Sequence, residues 1–264
     1  MWPFGSSPSE PEPTPVRKAT AHLRKLESGF IDAETRADLE DLLAQAIANP
    51  YVASAVAVTL VGSGTVFYRR YLRRITNASF LTPSHLERPG RIKGMCTRVG
   101  DADGIRVYHT PGPGWGWLRH VPTERNELKD ETLAIRIAGV DAPEMAHFGK
   151  PSQPYADVAH RYLTERCLGK TVKLKLLSKD RYGRVVAMVY ARPSPLWPVM
   201  TNVSYDMLKK GLAIVYASAG AEYDGMEKKF LKAEAKAKRW RVGMWSQKHF
   251  ESPREYKKRH GITD

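Results

Sequence analysis

An uncharged segment of 18 residues divides this sequence and constrains its architecture more than any other feature. It runs from Tyr51 to Tyr68 and contains no charged side chain. As an α-helix it would extend about 27 Å, close to the thickness of the hydrocarbon core of a bilayer. The segment therefore predicts one membrane-spanning helix. A buried core helix is the alternative, because a high content of Ala, Gly, Ser and Thr makes the segment only moderately apolar.

The charge of the chain differs sharply on the two sides of this segment. Residues 1–49 carry five basic and eight acidic side chains, a net charge of −3, whereas the whole chain carries 42 basic and 28 acidic ones, a net charge of +14. Since the segment itself is neutral, the rest carries 14 − (−3) = +17. Four arginines follow the segment directly: Arg69, Arg70, Arg73 and Arg74. They predict that the C-terminal body lies on the inside face of the membrane.

Composition divides the remaining chain into further segments. The predicted organisation is a disordered N-terminal tail over 1–30, an amphipathic helix over 31–49, the transmembrane helix over 51–68, a basic flank and linker over 69–91, a folded domain over 92–249 with an insertion at 110–131, and a basic C-terminal tail over 250–264. The folded domain carries 27 basic and 16 acidic residues. Its positive charge indicates an anionic partner such as nucleic acid. With only two cysteines, the chain can form neither a disulfide framework nor a cysteine-based zinc site.

Hydrophobic periodicity predicts an α+β domain, a β-barrel with helices. Alternating apolar and polar residues predict five strands, at 92–98, 105–109, 132–140, 171–176 and 185–190. Helical periods predict three helices, at 155–167, 205–210 and 226–240. Five short strands with interspersed helices are typical of a five-stranded Greek-key barrel of the OB type. The complete fold prediction is this OB-type barrel with three helices, preceded by one N-terminal transmembrane helix.

Two acidic patches stand out against the basic background. One is the turn Asp101-Ala-Asp103, and the other runs from Asp141 to Glu144, directly after the strand that carries Arg136. Carboxylates on loops at strand ends supply the oxygen ligands that a hard cation such as Ca²⁺ requires. Arg136 and Arg184 are of the residue type that binds phosphate in a bidentate manner. The combination indicates chemistry on a phosphodiester.

These motifs, taken in order, resemble a known family. Asp-x-Asp at 101–103, RIAGVDAPE at 136–144 and DRYGR at 180–184 are similar to the motifs of the staphylococcal nuclease-like (thermonuclease) family. The resemblance covers roughly residues 92–248. Together with the uncharged segment and the WGW sequence in the insertion, it is strongest to the fungal, membrane-anchored, probable mitochondrial endonucleases.

The resemblance implies a function and a set of site residues. It implies an endonuclease, a hydrolase of phosphodiester bonds in DNA and RNA with little sequence preference, which depends on Ca²⁺ and is a single-pass membrane protein of the mitochondrion. The implied catalytic residues are Arg136, Glu144 and Arg184, with Glu144 as the general base; the implied Ca²⁺ ligands are Asp103, Asp141 and the main-chain carbonyl of Ala142; and Arg181 and Tyr182 are implied to hold the nucleotide.

The sequence departs from the family pattern at two places and leaves alternatives open. The family usually has Thr where Ala142 stands, a change that a main-chain ligand survives, and the first turn reads Asp101-Ala-Asp-Gly104 in place of Asp-Gly-Asp-Thr. One alternative is a non-catalytic OB-type module that binds nucleic acid or a protein at the membrane. Another is a soluble nuclease in which residues 51–68 form a core helix. The presence of both arginines and of Glu144 favours an enzyme. No protein partner can be identified from the sequence.

Overall fold

The computed structural model describes residues 48–87, 90–146, 149–194, 196–218 and 220–261, together with the isolated positions 37, 38, 41 and 44. The predicted tail over 1–30 lies outside the described residues, as does most of the predicted amphipathic helix over 31–49. The chain forms two units, residues 1–67 and residues 68–264.

The first unit contains the uncharged segment up to Phe67 as a single helix, α1 (Pro50–Phe67), and Tyr68 begins a short π-helical turn (Tyr68–Leu72) in the second unit. Its first turn is capped by Asn49, whose side-chain oxygen accepts a hydrogen bond from a backbone N–H at 3.0 Å. The hydroxyls of Ser54, Thr59 and Thr65 donate to carbonyl oxygens one turn earlier, so these polar groups are satisfied within the helix. No residue of α1 is buried. Among the described residues, α1 is the one helix long and apolar enough to cross a membrane.

The second unit is built on a closed five-stranded barrel. Its strands are β1 (Ile92–Val99), β2 (Gly104–His109), β3 (Leu133–Ile137), β5 (Thr171–Lys179) and β6 (Val185–Ala191). They are hydrogen-bonded in the order β3-β2-β1-β5-β6 through antiparallel pairs, and β3 also pairs with β6 in parallel, which closes the barrel. The short strand β7 (Thr201–Asn202) extends β6, and β4 (Val140–Asp141) pairs with β8 (Ile214–Val215). The predicted OB-type barrel is confirmed.

In the part of the second unit that the structure describes, five further α-helices pack on or near the barrel. They are α2 (Pro83–Leu86), α3 (Ala156–Cys167), α4 (Val203–Lys209), α5 (Glu227–Arg239) and α6 (Pro253–Arg259). The three predicted helices correspond to α3, α4 and α5. Helix α6 lies within residues 250–264, the segment predicted as a basic C-terminal tail. Its physical cause is a capping box, in which Ser252 and Glu255 satisfy each other's backbone N–H groups, with Pro253 in the first turn.

Among the described residues, the hydrophobic core lies in the second unit. Leu133, Ile135 and Ile137 alternate with more exposed residues along β3 and are buried inside the barrel. Leu163 and Phe230 are buried from the helical side, in α3 and α5. Each such side chain stabilises the fold by about 1.5–3 kcal/mol through removal from water. Every member of the buried core cluster lies between residues 75 and 233. Residues 68–264 therefore carry a complete core of their own.

We expect His109 to make the stability of this unit depend on pH. His109 is buried, and its Nδ1 accepts a hydrogen bond from the backbone N–H of Ile75 at 2.9 Å. Burial, with the nearby charge of Arg74, lowers the pKa of His109 to about 4. In the unfolded chain a histidine has a pKa near 6.5, so on acidification the unfolded state is protonated before the folded one. Protonation then favours unfolding. About 3 kcal/mol of stability should therefore be present above pH 6.5 and be lost as the pH falls towards 4.

Urea unfolding of residues 68–264 between pH 7.5 and pH 4.5 measures this loss. The His109→Gln variant should be less stable at pH 7.5 and should lose less stability on acidification. The matched control is His249→Gln, at an exposed histidine, which should behave like the unmodified chain. Equal pH dependence in the His109 variant and the control would contradict the assignment.

Candidate functional site

Closure of the barrel brings the two arginines of the predicted site together. Arg136 lies on β3 in register with Val186 of β6. Arg184 immediately precedes β6. These side chains are 48 positions apart in the sequence, yet the parallel β3–β6 pair places them within two residues of each other along the seam of the barrel.

A tight turn holds Arg184 in place. Asp180 accepts hydrogen bonds from the backbone N–H groups of Tyr182 at 2.9 Å and Arg184 at 2.8 Å, and its other oxygen accepts from Nε of Arg184 at 2.7 Å. Gly183 takes a positive φ of 76° in the same turn. Partial burial acts to raise the pKa of Asp180, but these bonds outweigh it and lower that pKa. Because the ion pair uses Nε, the two terminal amino groups of Arg184 are left for another acceptor.

Arg136 is held by a carboxylate and an aromatic ring. Its Nε lies 3.7 Å from Oδ2 of Asp103, and its guanidinium carbon lies 4.4 Å from the centre of the Tyr216 ring. Burial acts to lower the pKa of Arg136, but Asp103 and Tyr216 outweigh it and raise that pKa. Burial raises the pKa of Asp103, and Arg136 is the largest of the cations that oppose this rise. Both side chains keep a small exposed surface of 18%.

Asp141 is a buried carboxylate at the end of a very short strand. It lies in β4, opposite Ile214 of β8. The turn before β4 requires a glycine at position 139 for two reasons. The backbone there has a φ of 75°, and the Cβ of any other residue would lie 2.7 Å from the Phe230 ring. Burial raises the pKa of Asp141 to about 6, although the positive charge of Lys257 opposes the rise. Burial of an ionised carboxylate lowers the stability of the fold, so its presence here indicates a functional role.

Glu144 is held by its backbone and remains open to solvent. Its N–H donates to Oε1 of Gln153 at 2.8 Å, and the N–H of Gln153 donates to the carbonyl oxygen of Glu144 at 2.9 Å. The side chain of Glu144 is 30% exposed. Burial raises the pKa of Glu144, and Lys257 partly offsets this effect. The backbone of Glu144 is therefore held in place, while its carboxylate is partly exposed to solvent.

A lysine from the C-terminal helix enters the acidic cluster. Nζ of Lys257 lies 3.0 Å from Oε1 of Glu144 and 3.4 Å from Oδ1 of Asp141. Helix α6 is docked next to the cluster by the buried Tyr256, whose hydroxyl donates to the carbonyl of Pro151. The lysine is 116 positions from Asp141 in the sequence. The body therefore uses its last helix to complete the site.

The donor chemistry of this cluster suits a hard cation. The carboxylates of Asp103, Asp141 and Glu144 influence one another's ionisation, and two cations already lie beside them: Arg136 at Asp103, and Lys257 at Asp141 and Glu144. Ala142 is buried beside them, and its main-chain oxygen is a further donor of the same hard type. Within the described part of the chain, no group of three His, Cys, Asp or Glu side chains is close enough to hold a metal ion. The predicted set needs only two carboxylates and one main-chain oxygen.

The two residues predicted to hold the nucleotide lie at the rim. Tyr182 is exposed, and its ring centre lies 5.0 Å from the guanidinium of Arg181 and 5.5 Å from that of Arg184. Sequence reasoning missed three residues that the fold places in the site: Tyr216, Gln153 and Lys257. The capping box that starts α6 was the one sequence signal for the last of these.

Comparison with known proteins identifies the family. The model of the staphylococcal nuclease homologue family matches residues 134–247. A protein named probable endonuclease LCL3 from Pyricularia oryzae is 45% identical over 218 residues, which cover 81% of this chain and 83% of that protein. The chain belongs to the staphylococcal nuclease family. Relatives of the same printed name from Arthroderma otae and Aspergillus clavatus are 47% and 41% identical, over 79% and 100% of this chain and 78% and 96% of their own lengths.

The family match spans most of the site described above. Residues 134–247 include Arg136, Asp141, Glu144 and Arg184. Lys257 lies beyond that match and Asp103 lies before it. The similarity to Aspergillus clavatus extends over the whole chain, α1 and α6 included. The predicted membership in the staphylococcal nuclease family is confirmed.

Proposed function

We propose that this chain is a membrane-anchored, Ca²⁺-dependent endonuclease that hydrolyses phosphodiester bonds in DNA and RNA. Nuclease hydrolysis is the activity that the family and the endonuclease relatives support. The observation that carries the proposal is one charge cluster: Arg136 and Arg184 act on the ionisation of Asp103, and Arg136 and Glu144 act on that of the buried Asp141. Nucleic acid is the corresponding substrate, and the positive charge of the body favours its approach.

Asp103, Asp141 and the main-chain oxygen of Ala142 are the proposed ligands of Ca²⁺. When bound, the cation would supply a Lewis acid for a phosphate oxygen. The ligands are oxygen atoms only, as Ca²⁺ prefers, and water and substrate complete its coordination. Besides acting as a ligand, the ionised carboxylate of Asp141 would attract the cation to a buried position.

The remaining residues act on the phosphodiester and on water. Glu144 accepts the proton of the attacking water, a role that fits its 30% exposure and its firmly held backbone. Arg136 and Arg184 donate hydrogen bonds to the phosphate oxygens, whose charge grows in the transition state. Preorganisation by Asp103, Tyr216 and Asp180 means that neither arginine must be ordered during the reaction. Arg181 and the exposed Tyr182 offer a cation and a ring for stacking on a nucleotide.

Helix α1 is proposed as the membrane anchor. An exposed apolar helix of 18 residues with no charged face would be unfavourable in water and suits a bilayer. The arginines that follow it favour a body on the inside face. The proposed organisation is a linker over 69–91 and a nuclease domain over 92–249 with its insertion at 110–131. The mitochondrion is the proposed compartment, on the resemblance to the fungal enzymes.

Purified residues 68–264 should degrade DNA and RNA in the presence of Ca²⁺ and stop on addition of EGTA. The Glu144→Gln variant should lower kcat by about 10²–10⁴-fold, the range of a general base. Glu124→Gln, at an exposed glutamate of the insertion, is the matched control and should keep full activity. Cleavage that survives both EGTA and Glu144→Gln would rule out the mechanism.

The anchor has a separate test. After alkaline carbonate extraction of membranes, the full chain should stay in the pellet, whereas residues 68–264 should be released. Release of the full chain into the supernatant would exclude a spanning helix. A nuclease assay on fractionated mitochondria tests the compartment.

Removal of the Lys257 charge should strengthen Ca²⁺ binding. Its ammonium group lies within 3.4 Å of two carboxylates, one of which is a proposed ligand, so the two cations compete for the same negative charge. The Lys257→Gln variant should bind Ca²⁺ at least about ten-fold more tightly, measured by titration calorimetry. Lys258→Gln removes the same charge from the exposed neighbouring position and should leave the affinity unchanged. Equal affinities in the two variants would show that Lys257 does not compete.

A further inference from the structure

A strip of basic residues lines the body outside the acidic cluster; within it Arg91 stacks on the Tyr190 ring at 3.6 Å and Lys170 donates to the carbonyl oxygen of Glu165. This basic strip consists of Arg69, Arg73, Arg91, Lys93, Lys170, Lys173 and Arg192. It lines two cavities of about 430 and 660 Å³ that share Arg91 and Lys93. No Asp or Glu lines either cavity. Among the described residues, none of the seven cations forms a salt bridge.

Exposed apolar side chains adjoin this strip. Pro198 and Val199 line the larger cavity, in the loop between β6 and β7. The same loop exposes 94% of Leu196 and more than half of Trp197. Exposure of these apolar side chains to water is unfavourable. Binding of nucleic-acid phosphates to the neighbouring cations would leave the same side chains exposed. Aliphatic side chains, a tryptophan and basic residues that form no salt bridge are together the side chains that bind the interface of an anionic bilayer.

The insertion joins the strip to the residues that leave α1. Its first residues line the smaller cavity together with Arg69 and Arg73. Arg74 forms an ion pair with Glu131 and donates to its carbonyl oxygen at 3.0 Å, and Asn77 donates to the carbonyl of Asp130 at 3.0 Å. The insertion is thus fastened to the linker at its far end as well. Its tip exposes 77% of Trp117, with Leu118 beside it.

We propose that the basic strip, with the exposed residues 196–199 and the tip of the insertion, is a second membrane contact that holds the nuclease body against anionic lipid headgroups. The proposal rests on the proposed anchor, because a chain that leaves a bilayer at Tyr68 must place Arg69 and Arg73 at headgroup depth. Nucleic acid is the competing occupant of a basic surface. Membrane is favoured because aliphatic Leu196 and Val199 add nothing to the binding of phosphate or to base stacking.

Flotation of residues 68–264 with lipid vesicles tests the proposal without the anchor. The body should float with vesicles of phosphatidylcholine and phosphatidylglycerol and stay unbound with phosphatidylcholine alone. Leu196→Glu/Trp197→Glu should abolish flotation, and Lys173→Glu/Arg192→Glu should weaken it about five-fold or more for each charge changed. Matched controls are Trp240→Glu and Lys232→Glu/Lys236→Glu, which alter an exposed ring and two exposed lysines of the α5 region and should float normally.

Several outcomes would overturn this second contact. One is equal flotation with both vesicle types, and another is normal flotation of the loop variant. A third is that Lys173→Glu/Arg192→Glu weakens binding of single-stranded DNA in EGTA but leaves flotation intact, which would assign the strip to nucleic acid. Nuclease assays of the same variants in Ca²⁺ should show unchanged kcat. A body that floats but does not cut would instead refute the proposed nuclease function, and release of the full chain by carbonate would refute the anchor alone.

Discussion

Replacement of Arg136 by glutamine should lower kcat for DNA cleavage by about 10³-fold, the loss expected when one preorganised donor to a developing anion is removed. The guanidinium is held 3.7 Å from Asp103 and against the Tyr216 ring, so its donors are fixed before substrate binds. Glutamine keeps a single neutral donor and cannot neutralise charge. KM should change far less than kcat, because the interaction strengthens in the transition state.

The experiment must separate this effect from damage to the fold. Arg106→Gln provides the matched control, since Arg106 lies on the adjacent strand β2, opposite Ala134, and is exposed. The control should keep normal kcat. Arg136→Gln also removes the largest positive charge opposing the raised pKa of Asp103, so a modest fall in melting temperature is expected. A kcat within two-fold of the control, measured below the melting temperature of the variant, would contradict the assigned role.

The barrel and its arginines could be predicted from local pattern because the relevant signals are local. Alternation along β3 marks Ile135 and Ile137 as inward, and it leaves Arg136 between them on the other face. The turn at Asp180 is equally local, since every bond that fixes Arg184 comes from within five residues. What sequence could not show is the parallel β3–β6 pair that joins these two pieces.

The residues missed by sequence reasoning reach the site through long-range packing. Lys257 is 116 positions from Asp141, and its residue type and the basic run around it suggested only a charged tail. Its position depends on Tyr256, which docks α6 by burial and by a hydrogen bond to the carbonyl oxygen of Pro151. Tyr216 follows β8, a strand of two residues too short to show periodicity. A local signal such as the capping box of α6 predicts a helix, but it does not show which distant residues that helix contacts.

These long-range groups also explain why the acidic cluster is tolerated. Asp141 is buried and Glu144 is partly buried, and burial raises the pKa of each. Lys257 lowers the cost of both charges at once, because one ammonium group contacts both carboxylates. Attachment of α6 therefore contributes stability to the site that faces it. The ammonium group of Lys257 also repels the proposed Ca²⁺. The same contact therefore raises the stability of the fold and lowers its affinity for the metal ion.

Replacement of Asp141 by asparagine should raise the free energy of unfolding and abolish cleavage of nucleic acid. The pKa of Asp141 is about 6 in the folded protein, above its ordinary value of 3.8. The folded state therefore binds the proton more tightly than the unfolded chain, and stability falls as the pH rises from about 4 through about 6. Above this window the full cost of the buried carboxylate, on the order of 3 kcal/mol, is present. Asparagine carries no charge, so the variant should regain much of it at pH 7.5.

The loss of function should be equally large. As a proposed ligand, Asp141 should contribute more to Ca²⁺ affinity than a supporting residue, so the variant should bind at least about 100-fold more weakly. Urea unfolding between pH 4 and 8, with titration calorimetry for Ca²⁺, measures both effects. Asp180→Asn is the control of opposite sign: bonds from its turn lower the pKa of Asp180, so its removal should destabilise the body at pH 7.5. If Asp141→Asn also destabilises at that pH, its carboxylate is a structural partner of Lys257 and its assignment to the metal site loses its physical basis.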